Sequence, residues 1–246
     1  MIDKDYFHKL ASKYNTSAFI PLDPISFPHK YKERKDVEIS AFIAQWLAYG
    51  KRENFLKILD NFAQNMPSPY SYIKNKKFYK YKNQNRNLYR FYTYNDFFLL
   101  CQKLYNVYFV LGEGKQDMQE VLKQKLEYKT AKMEEVLQTI ISLFIGVKGI
   151  PININSACKR LCMFLRWMIR KDGIVDFGIW DILAVEDLII PLDTHVFHQA
   201  KQLGLTDRKT ADFKTAKEIT IKMKSIFPSD PTLSDFALFG YGVNNK

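Results

Sequence analysis

Cysteine is scarce in this 246-residue chain, and Cys101, Cys158 and Cys162 form an odd set with no pairing framework. Cys158 and Cys162 lie four apart in an apolar stripe and read as small core residues. No cysteine-rich tail follows the last apolar stretch, which argues against a cysteine-held iron–sulfur cluster. A reducing, cytoplasmic location is expected. Long apolar runs are also missing. The longest, from Ile39 to Tyr49, is interrupted by Ser40 and Gln45 and is too short to cross a bilayer. The opening Met1-Ile2-Asp3-Lys4-Asp5 shows no charged-then-apolar leader. The four histidines (His8, His29, His195 and His198) have no partners at metal-ligand spacing. Neither a catalytic metal nor a cofactor is expected.

Acid is absent over one long stretch. Between Asp60 and Asp96 there is no carboxylate, while Lys74, Lys76, Lys77, Lys80, Lys82, Arg86 and Arg90 fall within it. Phe78, Tyr79, Tyr81, Tyr89 and Phe91 interleave with these cations. Two readings stand. The cations hold phosphates while the rings stack on bases, or the stretch is a solvated basic face whose rings point into the core. The whole chain carries a formal charge of +11, which favours polyanionic partners such as nucleic acid. With 47% hydrophobic and 15% aromatic residues, it has the material for one large core or two modest lobes.

The periodicity is helical nearly throughout, with no convincing strand, so the fold class expected is all-α. A short N-terminal helix precedes Asp23-Pro24-Ile25-Ser26-Phe27-Pro28, which the prolines make extended. One or two helices follow from Asp36 to Asp60, the first apolar almost all round and therefore central. Helices are expected again near 97–111 and 131–147. Met133, Val136, Leu137, Ile140, Ile141 and Phe144 form one face of the latter. A loop from Val147 to Pro151 leads to a helix capped by Ser156, with Cys158, Leu161, Cys162, Leu165, Met168 and Ile169 as its buried stripe. Lys159, Arg166 and Arg170 fall on another face. After Asp193 a helix runs to about Leu203 and stops at Gly204. Two more helices follow, the last begun by Asp230-Pro231.

Lys159 lies in a first helical turn, where the macrodipole disfavours a cation. Departures of this kind mark functional sites. An unprotonated lysine amine is a competent nucleophile toward a sugar C1′, giving a Schiff base. Lys159 also suits a phosphate contact at a helix N-terminus, or a plain surface position. Asp193, after Pro191 and before an apolar helix, reads first as an N-cap. An anion fixed there can also stabilise positive charge developing on a deoxyribose, or accept the nucleophile's proton. The two roles are compatible. His195 reads as a helix-start hydrogen-bonding residue.

These residues resemble the helix-hairpin-helix DNA glycosylase superfamily. Pro191-Leu192-Asp193-Thr194-His195-Val196-Phe197 is similar to its aspartate segment, and Lys159 falls where bifunctional members carry their Schiff-base lysine. Glu38-Ile39-Ser40-Ala41-Phe42-Ile43-Ala44-Gln45 resembles its early buried helix, and Asp235-Phe236-Ala237-Leu238-Phe239-Gly240 its last core helix. The family's hairpin reads Leu-Pro-Gly-x-Gly before the lysine. Here the segment is Gly149-Ile150-Pro151-Ile152-Asn153-Ile154-Asn155-Ser156. The Lys–Asp spacing and the Gln45 to Glu53 phrase look most like the archaeal 8-oxoguanine glycosylase branch. The whole chain also resembles a bacterial family of unknown function.

The resemblance implies a two-lobed helical glycosylase-like fold, with 36–172 as one lobe and 1–35 plus 173–246 as the other. It implies a monomeric, cytoplasmic N-glycosylase/AP lyase working on the nucleoid. Its substrate is a damaged purine such as 8-oxoguanine, flipped from double-stranded DNA. Lys159 and Asp193 are then catalytic, and Gln45, Trp46 and Phe239 contact the base, with Trp167 as a further stacking surface or core residue. Lys148, Arg160, Lys74, Lys77, Lys80, Lys82 and Arg86 bind phosphate. Two alternatives remain: a non-catalytic nucleic-acid-binding protein on the same scaffold, and an RNA-directed or protein-interaction module.

Overall fold

The computed structural model describes residues 3–244. Met1-Ile2, the first two residues of the segment searched for a leader, and Asn245-Lys246 lie outside them. In chain order the helices and strands are α1 (Lys4–Tyr14), α2 (Arg34–Leu47), α3 (Arg52–Asn65), α4 (Pro69–Lys74), β1 (Asn87–Tyr89), β2 (Tyr92–Thr93), α5 (Tyr94–Tyr105), α6 (Met118–Lys125), α7 (Met133–Leu143), α8 (Lys159–Ile169), α9 (Thr194–Gln202), α10 (Phe213–Met223) and α11 (Leu233–Asn244). The protein is mostly helical, as the periodicity predicts. The exception is a short antiparallel pair, β1–β2, with Asn87 opposite Thr93 and Tyr89 opposite Tyr92. Strands of three and two residues are too short to show alternation in the sequence. The helices α4 and α6 are likewise too short to show a clear helical period. Their starts nonetheless carry side-chain caps, with Ser68 accepting from Ser71 N–H and Asp117 from Glu120 N–H.

The segment from Asp23 to Pro28 is not extended as the prolines suggest. Asp23 is, but Pro24–Ser26 and Pro28–Lys30 form successive 3₁₀ turns with Phe27 helical between them. Phe27 donates its N–H to the Pro24 carbonyl and is wholly buried, so packing overrides the steric bias of the residue before a proline.

The chain groups into two compact units. The first comprises residues up to Ile20, Lys132–Leu137 and the chain from Asn153 onward; the second comprises Pro21–Ala131 and Gln138–Ile152. Residues 153–172 therefore group with 173–244, whereas the sequence reading sets them with 36–152.

In the second unit α2 is buried from Asp36 to Leu47, as its apolar character all round demands. Phe42 stacks on Phe144 at 4.1 Å. The buried acids on this helix are answered: Asp36 Oδ1 accepts from the Ser68 hydroxyl and Tyr70 N–H, and Glu38 Oε2 from the Tyr108 hydroxyl and Met118 N–H. Burial, and then the Glu38 carboxylate, push the Tyr108 phenol well above its usual range, so it stays a donor.

In the first unit α11 packs on both α1 and α9. Arg166 and Arg170, which the sequence places with Lys159 on a different face from the apolar stripe, are buried. Arg166 lies 3.3 Å from Asp176 and pairs with Asp235; Arg170 lies 2.9 Å from Asp176 and pairs with Asp172 and Asp230. Burial opposes the Arg170 charge, but the Asp176 and Asp230 carboxylates outweigh it and raise its pKa. The backbone reinforces this, since Phe177 N–H donates to the Trp167 carbonyl and Trp180 N–H to that of Met168. These bonds are why α8 groups with the chain that follows it.

Asp212 caps α10 and accepts from Thr215 N–H at 2.8 Å, Arg208 Nη2 at 2.7 Å and the Thr210 hydroxyl at 3.0 Å. Desolvation opposes ionisation, but these bonds win and hold the carboxyl well below the usual range.

Two outcomes are expected. Asp176→Ala leaves two buried guanidiniums short of their shared carboxylate, lowering unfolding free energy by about 3–5 kcal/mol in urea titration. Because Asp212 has a depressed pKa in the folded state, its stabilising contribution is complete above about pH 4 and declines as the pH falls toward the folded value. Asp212→Asn should therefore flatten the acid limb of a pH–stability curve measured by denaturation.

Candidate active site

Lys159 and Asp193 are brought together within the first unit. Lys159 Nζ lies 3.7 Å from Asp193 Oδ2, and each side chain is 34% exposed. The two oxygens of Asp193 divide their work. Oδ1 accepts from Val196 N–H at 2.8 Å, the N-cap bond the sequence predicts, and Oδ2 faces the amine. The cap fixes the carboxylate plane, so the oxygen toward Lys159 is held by the start of α9.

The chain before Asp193 is anchored from within. Leu188, Ile190 and Leu192 are buried, and Ile190 N–H donates to Thr220 Oγ1 of α10 at 3.1 Å. Thr220 in turn donates to the Ala216 carbonyl. At the far end of α9, Gly204 adopts φ +66°, which ends the helix as expected from a glycine there.

Lys159 is presented differently from the sequence expectation. Ser156 is not the cap: α8 starts at Lys159, and Cys158 before it takes a left-handed conformation at φ +48°. Ser156 is drawn away into a backbone bridge with Asp212 at the start of α10. A left-handed cysteine costs roughly 1–2 kcal/mol relative to ordinary backbone. It is held because the thiol is buried and lies 3.8 Å from the Asn153 carbonyl and 3.7 Å from the Ser156 hydroxyl. The Ala157, Cys158 and Lys159 triplet thus turns sharply, and the lysine occupies the first helical position. Burial raises the Cys158 thiol above its ordinary value, partly offset by Ser156, which makes it a poor thiolate. His195 and His198 are exposed on α9. Among the described residues no group of three or more His, Cys, Asp and Glu is placed to hold a metal ion.

Phe239 is in the same unit, partly exposed on α11, its ring edge-to-face with Tyr14 and Phe19. Gln45 and Trp46 belong to the other unit. Gln45 is 1% exposed, and its Nε2 is buried without a hydrogen-bond partner. Such a group carries a desolvation cost of about 1–3 kcal/mol unless something accepts from it. Trp46 is fully buried, stacked at 4.0 Å on Tyr92, with Nε1 donating to the Lys148 carbonyl. Trp167 is likewise fully buried. Both tryptophans are core residues in this structure.

The rings of the basic stretch divide between core and surface. Phe78 and Tyr89 are buried while Tyr79 and Phe91 are exposed. Lys74, Lys77, Lys80, Lys82 and Arg86 are all exposed. Several of the stretch's cations lie over rings: Arg86 is 3.9 Å from the Tyr94 centroid, Lys80 5.0 Å from that of Tyr81, and Lys76 4.7 Å from that of Tyr105. Lys148 donates to the Phe91 carbonyl and lies 3.8 Å from Asp96. Arg160 is half-buried beside Lys159 at the start of α8.

The chain belongs to the family described as Protein of unknown function (DUF2400), whose model matches residues 23–244. No curated protein and no solved structure matches it.

The cap gives a direct test of how Asp193 is held. Asp193→Ala should lower stability by about 1 kcal/mol, and Asp193→Ser should recover most of that loss, in paired thermal and urea melts.

Proposed function

We propose that the chain is a DNA N-glycosylase with AP-lyase activity on a damaged purine, such as 8-oxoguanine. The observation that carries this reading is the 3.7 Å approach of the Lys159 amine to an Asp193 oxygen left over from helix capping. In the proposed reaction Asp193 Oδ2 accepts a proton from Lys159, and the amine attacks C1′ of the damaged nucleotide. The glycosidic bond breaks as the new C–N bond forms, and the base leaves with the proton that Asp193 had accepted, which returns that carboxylate to its anionic form. Ring opening then gives a protonated Schiff base at C1′. Loss of a C2′ proton expels the 3′ phosphate by β-elimination, and water frees the lysine.

Once it has given up that proton, the Asp193 carboxylate beside Lys159 balances the positive charge of the Schiff base. The unpartnered Gln45 amide supports a role in reading a base edge, since an accepting base atom satisfies it. The exposed cations from Lys74 to Arg86, with Lys148 and Arg160, support phosphate binding.

Borohydride reduction on duplex DNA containing 8-oxoguanine tests the reading. A covalent protein–DNA adduct is expected with the unaltered chain and none with Lys159→Ala. Asp193→Asn, which can still cap α9, should slow trapping by about a hundredfold or more while leaving DNA affinity nearly unchanged. Salt-sensitive binding indifferent to the lesion, with no adduct across a panel of damaged bases, would establish a non-catalytic binding protein instead.

A further inference from the structure

The turn between β1 and β2 is built to display one ring. Phe91 is 68% exposed, although leaving a phenylalanine in water forgoes the stabilisation its burial gives elsewhere. Its backbone is clamped on both sides: its N–H donates to the Tyr49 hydroxyl at 3.1 Å, and its carbonyl accepts from Lys148 Nζ. Tyr49 is fixed in turn, because the Tyr89 hydroxyl donates to its carbonyl at 2.6 Å. Arg90, at φ +51°, takes the left-handed conformation that closes the turn. Its guanidinium lies 5.4 Å from the Tyr49 centroid and 5.6 Å from that of Phe91. Gly50 makes room for it, since a Cβ there would come within 2.9 Å of Arg90 Cδ and Nη1. The Phe91 and Tyr49 rings are nearly parallel, 18° apart, at 6.4 Å.

The surroundings are mostly cationic. Arg86, Arg90, Lys51 and Arg52 are exposed around the turn or at the start of α3, and Glu53 and Asp96 are the acids close by in sequence or space. A fixed, solvent-facing ring between cations matches the requirements for stacking an unpaired base while its phosphates are neutralised. From this we infer that Phe91 is a base-stacking residue, and that the β1–β2 turn binds single-stranded or locally unpaired DNA. The stacking stands on the turn alone. The choice of DNA over RNA rests on the lyase reading of Lys159 and Asp193.

Fluorescence anisotropy with a labelled thymidine oligonucleotide, its fully paired duplex and the matching uridine RNA tests this on the full chain. Phe91→Ala should weaken single-stranded DNA binding by about tenfold or more, with a much smaller effect on paired duplex. Its salt dependence should not change, whereas Arg90→Gln should lower the salt slope by roughly one. Phe91→Trp should retain affinity, and its emission should be quenched by the oligonucleotide; Trp46, Trp167 and Trp180 are buried and form a constant background. Unaltered single-strand affinity in Phe91→Ala, or unquenched emission in Phe91→Trp at saturation, overturns the proposal. A Phe91→Ala defect confined to RNA overturns the assignment to DNA. Borohydride trapping is a separate measurement: its failure would remove the lyase reading and the support it lends to DNA over RNA, without bearing on stacking by Phe91.

Discussion

The buried meeting of Arg166 and Arg170 with Asp176, Asp172, Asp230 and Asp235 is the constraint on which the candidate site depends. Two guanidiniums four residues apart, one on the last turn of α8 and one at its C-cap, cannot be buried by α8 alone. They fix that helix in rotation against the chain at 172–176 and against the start of α11. With rotation fixed, the position of Lys159 at the other end of the same helix is fixed too. These buried pairs anchor α8 more firmly than the partly exposed Lys159–Asp193 pair at its other end.

In the proposed reaction a structural requirement and a chemical one share the single carboxylate of Asp193. A helix start needs an acceptor, and one oxygen meets that need. The second remains oriented at no further entropic expense, because the first has already fixed the side chain. An ion pair of this kind between one-third-exposed groups adds little to stability. Its value lies in geometry, which agrees with the reading of the pair as a nucleophile and its proton acceptor.

Much of this was legible in the chain. The apolar period of α7 and α8, the all-round burial of α2, the cap at Asp193 and the stop at Gly204 each follow from local rules that packing does not oppose. What escaped was decided by contacts distant in sequence. Ser156 has a capping side chain, yet its backbone is drawn to Asp212, and Cys158 takes the cap position in a conformation that a sequence does not advertise. Nothing local to α8 marks Arg166 and Arg170 as buried until the four aspartates downstream are brought to them; the acids at 172, 176, 230 and 235 are the available signal. The basic aromatic stretch could not be divided by composition, because burial of Phe78 and Tyr89 beside exposure of Phe91 depends on a turn of four residues.

The unequal obligations of the two site residues have a consequence for reading other chains of this family. Position 193 must satisfy a helix whether or not any chemistry occurs, so a relative that had abandoned catalysis would still gain from an aspartate, serine or asparagine there. Position 159 has no comparable duty. Its amine faces Asp193 and sits where the helix field is unfavourable to it. Under the proposed lyase reaction, a chain freed from chemistry would be free to lose that lysine first, and Lys159, the less embedded of the pair, would then separate reactive family members from binding ones.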